Sequence, residues 1–221
     1  MFSFILTCCV LLLALAALIG SGCASADKRF GQGWELEQQG QYESAVQRYV
    51  QALEKEPGLE EARTRLREVG ALAIAERFEE AEYLASQGEP VRSVSHFRRA
   101  DSVVTKARSV GVRLALPESY TQQRRDIFDQ AIDAMIATGI NARQQGRWEE
   151  GVAAFRQARQ DFEPSRVQRD QALSEESTLL VQWSENEYSR GHLRNAYAIA
   201  ERVQELPWSP ANLSARAAGY M

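Results

Sequence analysis

Residues 33–57 read GWELEQQGQYESAVQRYVQALEKEP, and this stretch decides the fold of the chain. Small and aromatic residues stand at fixed distances from its central glycine, Gly40. They are Gly33, seven residues before it, and Tyr42, Ala45, Tyr49, Ala52 and Pro57, at 2, 5, 9, 12 and 17 residues after it. Gly40 suits the left-handed conformation that closes a helix, because glycine has no Cβ to clash there. Pro57 ends the next helix. The stretch therefore predicts a helix, a glycine-containing turn and a second helix.

The same spacing recurs around three later glycines, Gly88, Gly146 and Gly191. The residues at its positions are Ala81, Pro90, Ser93, Phe97 and Ala100; then Gly139, Trp148, Gly151, Phe155 and Ala158; and then Ser184, Leu193 and Ala196. In the last copy Ala200 and Val203 replace the aromatic residue and the alanine. The small residues let two paired helices approach closely, and the aromatic residue, one turn further along the second helix, fills the space beside them. Four helical hairpins are predicted.

Residues 33–57 resemble a tetratricopeptide repeat (TPR), and residues 139–164 resemble a second copy. The resemblance implies that residues 27–207 form an all-α, TPR-like array of about four hairpins, an α-solenoid. Tetratricopeptide repeats are about 34 residues long, whereas the four turn glycines are 48, 58 and 45 residues apart. The additional residues keep helical spacing and contain few helix breakers, so we predict lengthened helices rather than long loops. Residues 208–221 are predicted to be a C-terminal tail, in which residues 211–221 have few large apolar groups and are expected to fray.

Residues 1–22 are predicted to be a signal peptide and not part of the fold. Residues 2–19 carry no charge, and small residues follow them up to Cys23. The ending IGSGC resembles the lipobox of bacterial lipoproteins, which implies cleavage before Cys23, its acylation and a linker over 23–30. Ala24 stands where an aspartate would favour the inner membrane, so the resemblance implies an outer-membrane lipoprotein facing the periplasm, with the inner membrane as the alternative. An uncleaved anchor stays open, because about 18 apolar residues can just cross the hydrocarbon core.

The composition favours a folded protein and argues against a nucleic-acid partner. Apolar residues make up 44% of the chain, and 26 Lys and Arg against 30 Asp and Glu give a net charge of −4. A nucleic-acid surface is normally strongly basic. Cys8, Cys9 and Cys23 are the three cysteines of the sequence. The rest of the chain therefore has no thiol for a disulfide, a zinc site or a nucleophile.

The search for catalytic residues finds no combination that chemistry would require. His96 and His192 do not form a helical metal-binding pair, and His96 is predicted to lie at the surface. Neighbouring carboxylates such as Glu175 and Glu176 point in different directions on a helix, so we predict that they are solvated. We therefore predict that the protein is not an enzyme and has no catalytic residue, metal site or cofactor.

The TPR resemblance also implies a concave partner-binding surface, lined by the first helix of each hairpin. The candidate residues on that surface are Phe30, Trp34, Glu37, Gln38, Phe78, Glu82, Arg143, Glu185 and Tyr188. Polar side chains among apolar anchors suit a peptide or a partner helix. Apolar residues at helical spacing are also typical of a core, which leaves open that Trp34 and Phe78 are buried.

These observations predict a membrane-anchored scaffold or adaptor that binds other envelope proteins or peptides during cell-envelope assembly. The alternative is a structural lipoprotein whose long helices self-associate as a homo-oligomer.

Overall fold

The computed structural model describes residues 26–221, and all regular secondary structure in that part of the chain is helical. The helices are α1 (26–38), α2 (Tyr42–Lys55), α3 (Glu60–Ser86), α4 (Pro90–Ser109), α5 (Tyr120–Gln144), α6 (Trp148–Gln160), α7 (Arg166–Ser189), α8 (Leu193–Gln204) and α9 (Ala211–Ala218). The all-α prediction is confirmed. The predicted signal peptide, 1–22, and the predicted lipidation site, Cys23, lie outside the described residues. Among the helices of residues 26–221, none combines the length and apolar character needed to cross a membrane.

Three of the helices that open a hairpin are long. Helix α3 has 27 residues, α5 has 25 and α7 has 24. At 1.5 Å per residue, α3 extends over about 40 Å. The predicted lengthening of the helices is confirmed for these three, while residues 110–119 between α4 and α5 form a loop.

The turns between paired helices share one backbone geometry. The backbone φ of each turn glycine lies between 69° and 79°, in Gly40, Gly88, Gly146 and Gly191. Gly111, which follows α4, also has a φ in this range. In the first turn, the amide of Gln41 donates to the carbonyl of Leu36 at 2.9 Å, and the amide of Gly40 donates to Glu37 at 2.9 Å. This pair of bonds is the Schellman arrangement, which satisfies carbonyls at a helix end. The predicted role of the turn glycines is confirmed.

The paired helices approach closely where a small residue faces an aromatic ring. A Cβ added at Gly33 would lie 2.7 Å from the ring of Tyr49, and one added at Gly139 would lie 2.5 Å from the ring of Phe155. Both rings are fully buried. Helices α7 and α8 have no such ring, and instead the Ser184 hydroxyl donates to the Ala196 carbonyl at 2.8 Å. The small residues therefore set the distance between the two helices, as the sequence predicts.

The chain divides into two compact units. Of the described residues, the first unit holds 26–82 and Ser95–Tyr120, and the second holds Tyr83–Val94 and Thr121–Met221. The first unit has an aromatic core of Phe78, Phe97 and Tyr120, with ring centroids 5.4–6.0 Å apart. After α4 the chain returns to α3, where Leu114 covers Gly70 so closely that a Cβ there would lie 2.7 Å from it.

Most of the second unit comes from α5 to α9. Helix α7 begins with a capping box, in which Ser165 and Gln168 satisfy each other's backbone amides, and it packs against α6 and α8. Gly151 of α6 lies against Leu179 of α7, where a Cβ would be 2.3 Å from the leucine methyl group. This contact brings the backbone of α6 directly onto the side chains of α7.

The prediction that residues 211–221 fray is wrong. Ala211–Ala218 form α9, which follows Pro210 and packs against α7 and α8. Leu213 and Ala217, four residues apart on one face, are buried. Large apolar groups are scarce here, but alanine lets a helix lie close to its neighbours without them.

Candidate partner-binding surface

The predicted contact residues occupy repeated positions on the first helix of each hairpin. Three of them stand six residues before a turn glycine: Trp34 in α1, Glu82 in α3 and Glu185 in α7. Three others stand three residues before one: Glu37 in α1, Arg143 in α5 and Tyr188 in α7. We call these positions, taken within each unit separately, the first-helix ridge. Trp34 is 47% exposed, and Gln38, one turn further along α1, is also exposed. Trp34 is therefore exposed enough for a partner to contact it, as one of the two possibilities for this residue requires.

Phe30 and Glu37 have roles inside the first unit. The Phe30 ring is half-buried and lies 5.6 Å from that of Tyr49. The Tyr49 hydroxyl donates to a Glu37 carboxylate oxygen at 2.6 Å, and Arg65 of α3 lies 3.4 Å from the other oxygen. Burial, followed by the bond to Glu37, raises the pKa of Tyr49 well above its usual value. Glu37 therefore connects α1 with α2 and α3, and little of it is exposed.

Phe78 does not lie at a surface. It is 8% exposed and packs between Phe97 and Tyr120. Helix α3 is buried along much of its length, so the ring at this position meets core neighbours rather than solvent. Of the two possibilities open for Phe78, the buried one is confirmed.

Two further ridge residues are partly buried. Glu82 is half-buried. Arg143 pairs with Glu175 of α7, with a nitrogen to oxygen distance of 2.6 Å, and its side chain is 16% exposed. The Arg143 guanidinium is thus engaged within the second unit.

Glu185 and Tyr188 lie under the C-terminal helix. Arg216 of α9 forms an ion pair with Glu185, and the Tyr220 hydroxyl donates to the same carboxylate at 3.3 Å. The rings of Tyr188 and Tyr220 are 5.4 Å apart, while Tyr188 remains 53% exposed. The chain itself therefore places a helix on the ridge positions of α7.

Sequence reasoning missed a buried ion pair. Glu176 was expected to be solvated, but its side chain is 2% exposed and pairs at 2.6 Å with Arg159 of α6. Helix α7 packs against α6 at this point, so Glu176 faces its neighbour instead of water. The repeat spacing contains a signal for this pair. Arg159 and Leu53 each stand 13 residues after a turn glycine. Glu176 and Ala73 each stand 15 residues before one. Leu53 and Ala73 are both buried apolar residues.

His96 is also less exposed than expected. Its side chain is 20% exposed, and its Nδ1 lies 2.7 Å from Glu80. Glu80 pairs with Arg77, whose Nε lies 2.5 Å from Glu43 of α2. These contacts join α2, α3 and α4 within the first unit.

A Glu–Arg pair recurs at matching positions in both units. Glu43, three residues after Gly40, lies 3.1 Å from Arg99, and Glu149, three residues after Gly146, lies 3.3 Å from Arg202. Both arginines stand eleven residues after the turn glycine of the following hairpin. The spacing of these residues across hairpins is a signal that a search for repeats could have used.

Around the second of these pairs lies a cleft of about 370 Å³. It is lined by Glu149, Trp183, Glu187, Asn195, Ala198, Ile199 and Arg202. The Arg202 guanidinium lies over the Trp183 ring, 5.3 Å from its centroid. Hydrogen bonds from His192 and then Asn195 hold the pKa of Glu187 below its usual range. Glu149 and Arg202 in the cleft are thus paired with each other, and Glu187 accepts from His192 and Asn195.

Within residues 26–221, no three His, Cys, Asp or Glu side chains are grouped so that they could hold a metal ion. No family model matches the chain, and neither a curated protein nor a solved structure matches it.

Proposed function

We propose that this protein is a membrane-anchored scaffold, in which a TPR-like array of helical hairpins binds segments of other envelope proteins on the first-helix ridge. The lipid on Cys23 would hold the array at the outer membrane, facing the periplasm. The array would act by recruitment, bringing its partners together at the membrane.

The repeated turn geometry supports the TPR-like part of the proposal. Gly40 and its counterparts close the first helix of each pair in the same way, and Gly33 and Gly139 give each ring the close approach that the resemblance implies. These are the positions at which the sequence resembles a tetratricopeptide repeat. The longer helices distinguish this chain from the usual repeat length.

The observation that carries the binding role is the exposure of Trp34. An indole 47% exposed on a helix leaves a large apolar surface in water. Tryptophan is enriched among residues that dominate binding energy at protein interfaces. Gln38 lies beside it on the same helix and is exposed, which supplies a polar group at the rim of the contact. An apolar anchor with a polar neighbour suits a helix or an extended segment.

The test compares two tryptophans of equal exposure. Trp34→Ala removes the anchor on α1, whereas Trp208→Ala removes an indole that is also 47% exposed but precedes α9. Proteins crosslinked to each variant in intact cells would be identified by mass spectrometry. We expect Trp34→Ala to lose crosslinked partners that wild type and Trp208→Ala retain. An unchanged set for Trp34→Ala would refute binding at α1, and a set containing only the chain itself would favour self-association.

The anchoring part has its own test. Cys23→Ala should move the protein from the membrane fraction to the soluble fraction, because an acylated cysteine supplies the membrane affinity in this proposal. Cys9→Ala is the matched control and should leave the fractionation unchanged. Continued membrane association of Cys23→Ala would support an uncleaved anchor.

A further inference from the structure

Helix α9 is too short to be stable as an isolated helix. It has eight residues and buries only Leu213 and Ala217. Isolated helices of this length are not stable in water, because the cost of forming the first turn is not recovered over so few residues. Helix α9 is therefore helical because it is docked, and the surface that docks it selects its conformation.

That surface recognises α9 by charge and shape together. Glu185 accepts from both Arg216 and Tyr220, and the Tyr188 ring meets the Tyr220 ring. Burial and the nearby Glu185 carboxylate raise the pKa of Tyr220, so the phenol stays protonated and able to donate. The surface thus provides a carboxylate acceptor and an aromatic ring, and it buries Leu213 and Ala217 where α9 packs against α7 and α8.

On α9 and the turn after it these contacts form a simple sequence pattern. In α9, Leu213 and Ala217 are buried and four residues apart, and Arg216 stands three residues after Leu213; Tyr220 follows in the turn after Gly219. Spacings of three and four residues place side chains on one side of a helix. A helix of another protein with an apolar pair, a basic residue and an aromatic residue at these spacings would present the same face.

We propose that Glu185, Tyr188 and the surface that buries Leu213 and Ala217 form a helix-binding site, which α9 occupies until a partner helix of this pattern displaces it. The site deepens the binding role proposed above and rests on it. The α9 helix competes in cis, so a partner's apparent affinity is its intrinsic affinity multiplied by the fraction of molecules in which the site is open.

The probe is a fluorescent synthetic peptide of residues 209–221, added to the purified full chain. Arg216→Ala with Tyr220→Ala weakens α9 without altering the site. We expect the peptide to bind this double variant about tenfold more tightly than wild type, because α9 leaves the site open in a larger fraction of the molecules. A peptide with the same residues in scrambled order is the control, and circular dichroism checks that the variant keeps its helices.

Charge reversal separates recognition from a general loss of structure. Glu185→Lys in the full chain should abolish binding of the natural peptide and allow binding of a peptide carrying Arg216→Glu. Glu79→Lys, at an exposed glutamate of α3, is the control for the change in net charge and should not affect either peptide.

Two results would overturn the site. One is equal binding of the peptide to wild type and to the double variant, with no effect of charge reversal. The other is exclusion of the peptide by dimers in light scattering, which would make a second copy the occupant. If either result appears while Trp34→Ala still loses its crosslinked partners, only the α9 site fails and the scaffold role stands.

Discussion

Arg159 and Glu176 form an ion pair with a nitrogen to oxygen distance of 2.6 Å, and their side chains are only 11% and 2% exposed. Removing one partner of a buried pair leaves the other charge without compensation, which costs about 3–5 kcal/mol. We therefore expect Arg159→Leu to lower the free energy of unfolding by an amount in that range. Urea denaturation followed by circular dichroism measures it.

The first unit suggests the matched control for this pair. Leu53 and Ala73, at the corresponding distances from Gly40 and Gly88, are buried apolar residues. Adding Glu176→Ala to Arg159→Leu removes both charges, and an apolar replacement of a buried pair is often neutral. We expect this double variant to recover most of the lost stability. If the double variant were no more stable than Arg159→Leu, the loss would come from packing and not from an uncompensated charge.

Gly33 and Gly31 give a direct test of how closely α1 and α2 pack. A Cβ at Gly33 would lie 2.7 Å from the Tyr49 ring, whereas one at Gly31, two residues earlier in α1, would meet nothing within 4 Å. Gly33→Ala should destabilise the protein by about 1–3 kcal/mol, the usual cost of overfilling a core. Gly31→Ala should be neutral or stabilise by up to about 1 kcal/mol, because alanine favours helix. Thermal unfolding of both variants checks the contrast; equal shifts would contradict the close contact.

The turns and the contacts within each hairpin were predictable because they depend on residues close in sequence. The role of Gly40 in closing α1 depends only on the conformation of its own backbone. The contact between Gly33 and Tyr49 joins two helices that one short turn connects. The burial of Glu176 depends on Arg159, 17 residues away in another hairpin, and the periodicity of α7 contains no information about that partner. Phe78 was ambiguous for a related reason, since a helix with neighbours along much of its surface has no single apolar face.

The candidate surface was predictable only in part. Offsets from the turn glycines identify ridge positions such as Trp34 and Tyr188, but they do not determine which ones the chain itself covers. Glu185 and Tyr188 lie under α9, which has only eight residues and Leu213 as its one large apolar side chain. A short helix that is stabilised by docking leaves little trace in local propensity.

Tyr49 should make stability depend on alkaline pH. Its pKa is raised in the folded protein, so the folded state keeps the proton at pH values where an unfolded tyrosine has lost it. The resulting stability is fully present below about pH 10 and is lost as pH rises through the raised pKa. Tyr49→Phe cannot ionise there and also lacks the bond to Glu37. We expect wild type to be the more stable protein near neutral pH and its advantage to shrink above about pH 10. Urea denaturation over pH 8–11 measures the difference, and an advantage that does not change with pH would rule out this linkage.

Glu187 should have the opposite dependence, at acid pH. The hydrogen bonds from His192 and Asn195 lower its pKa in the folded state, so the folded protein favours the ionised carboxylate more than the unfolded chain does. Its contribution is therefore present above the unfolded pKa, about 4.3, and is lost as pH falls through the lowered folded value. Glu187→Gln should be less stable than wild type near pH 6, and the difference should close in acid. Glu201→Gln, at an exposed position of α8, is the control and should follow wild type throughout. Melting temperatures between pH 3 and 7 give the comparison, and a gap between Glu187→Gln and wild type that persists at pH 3 would show that the carboxylate's charge is not its source.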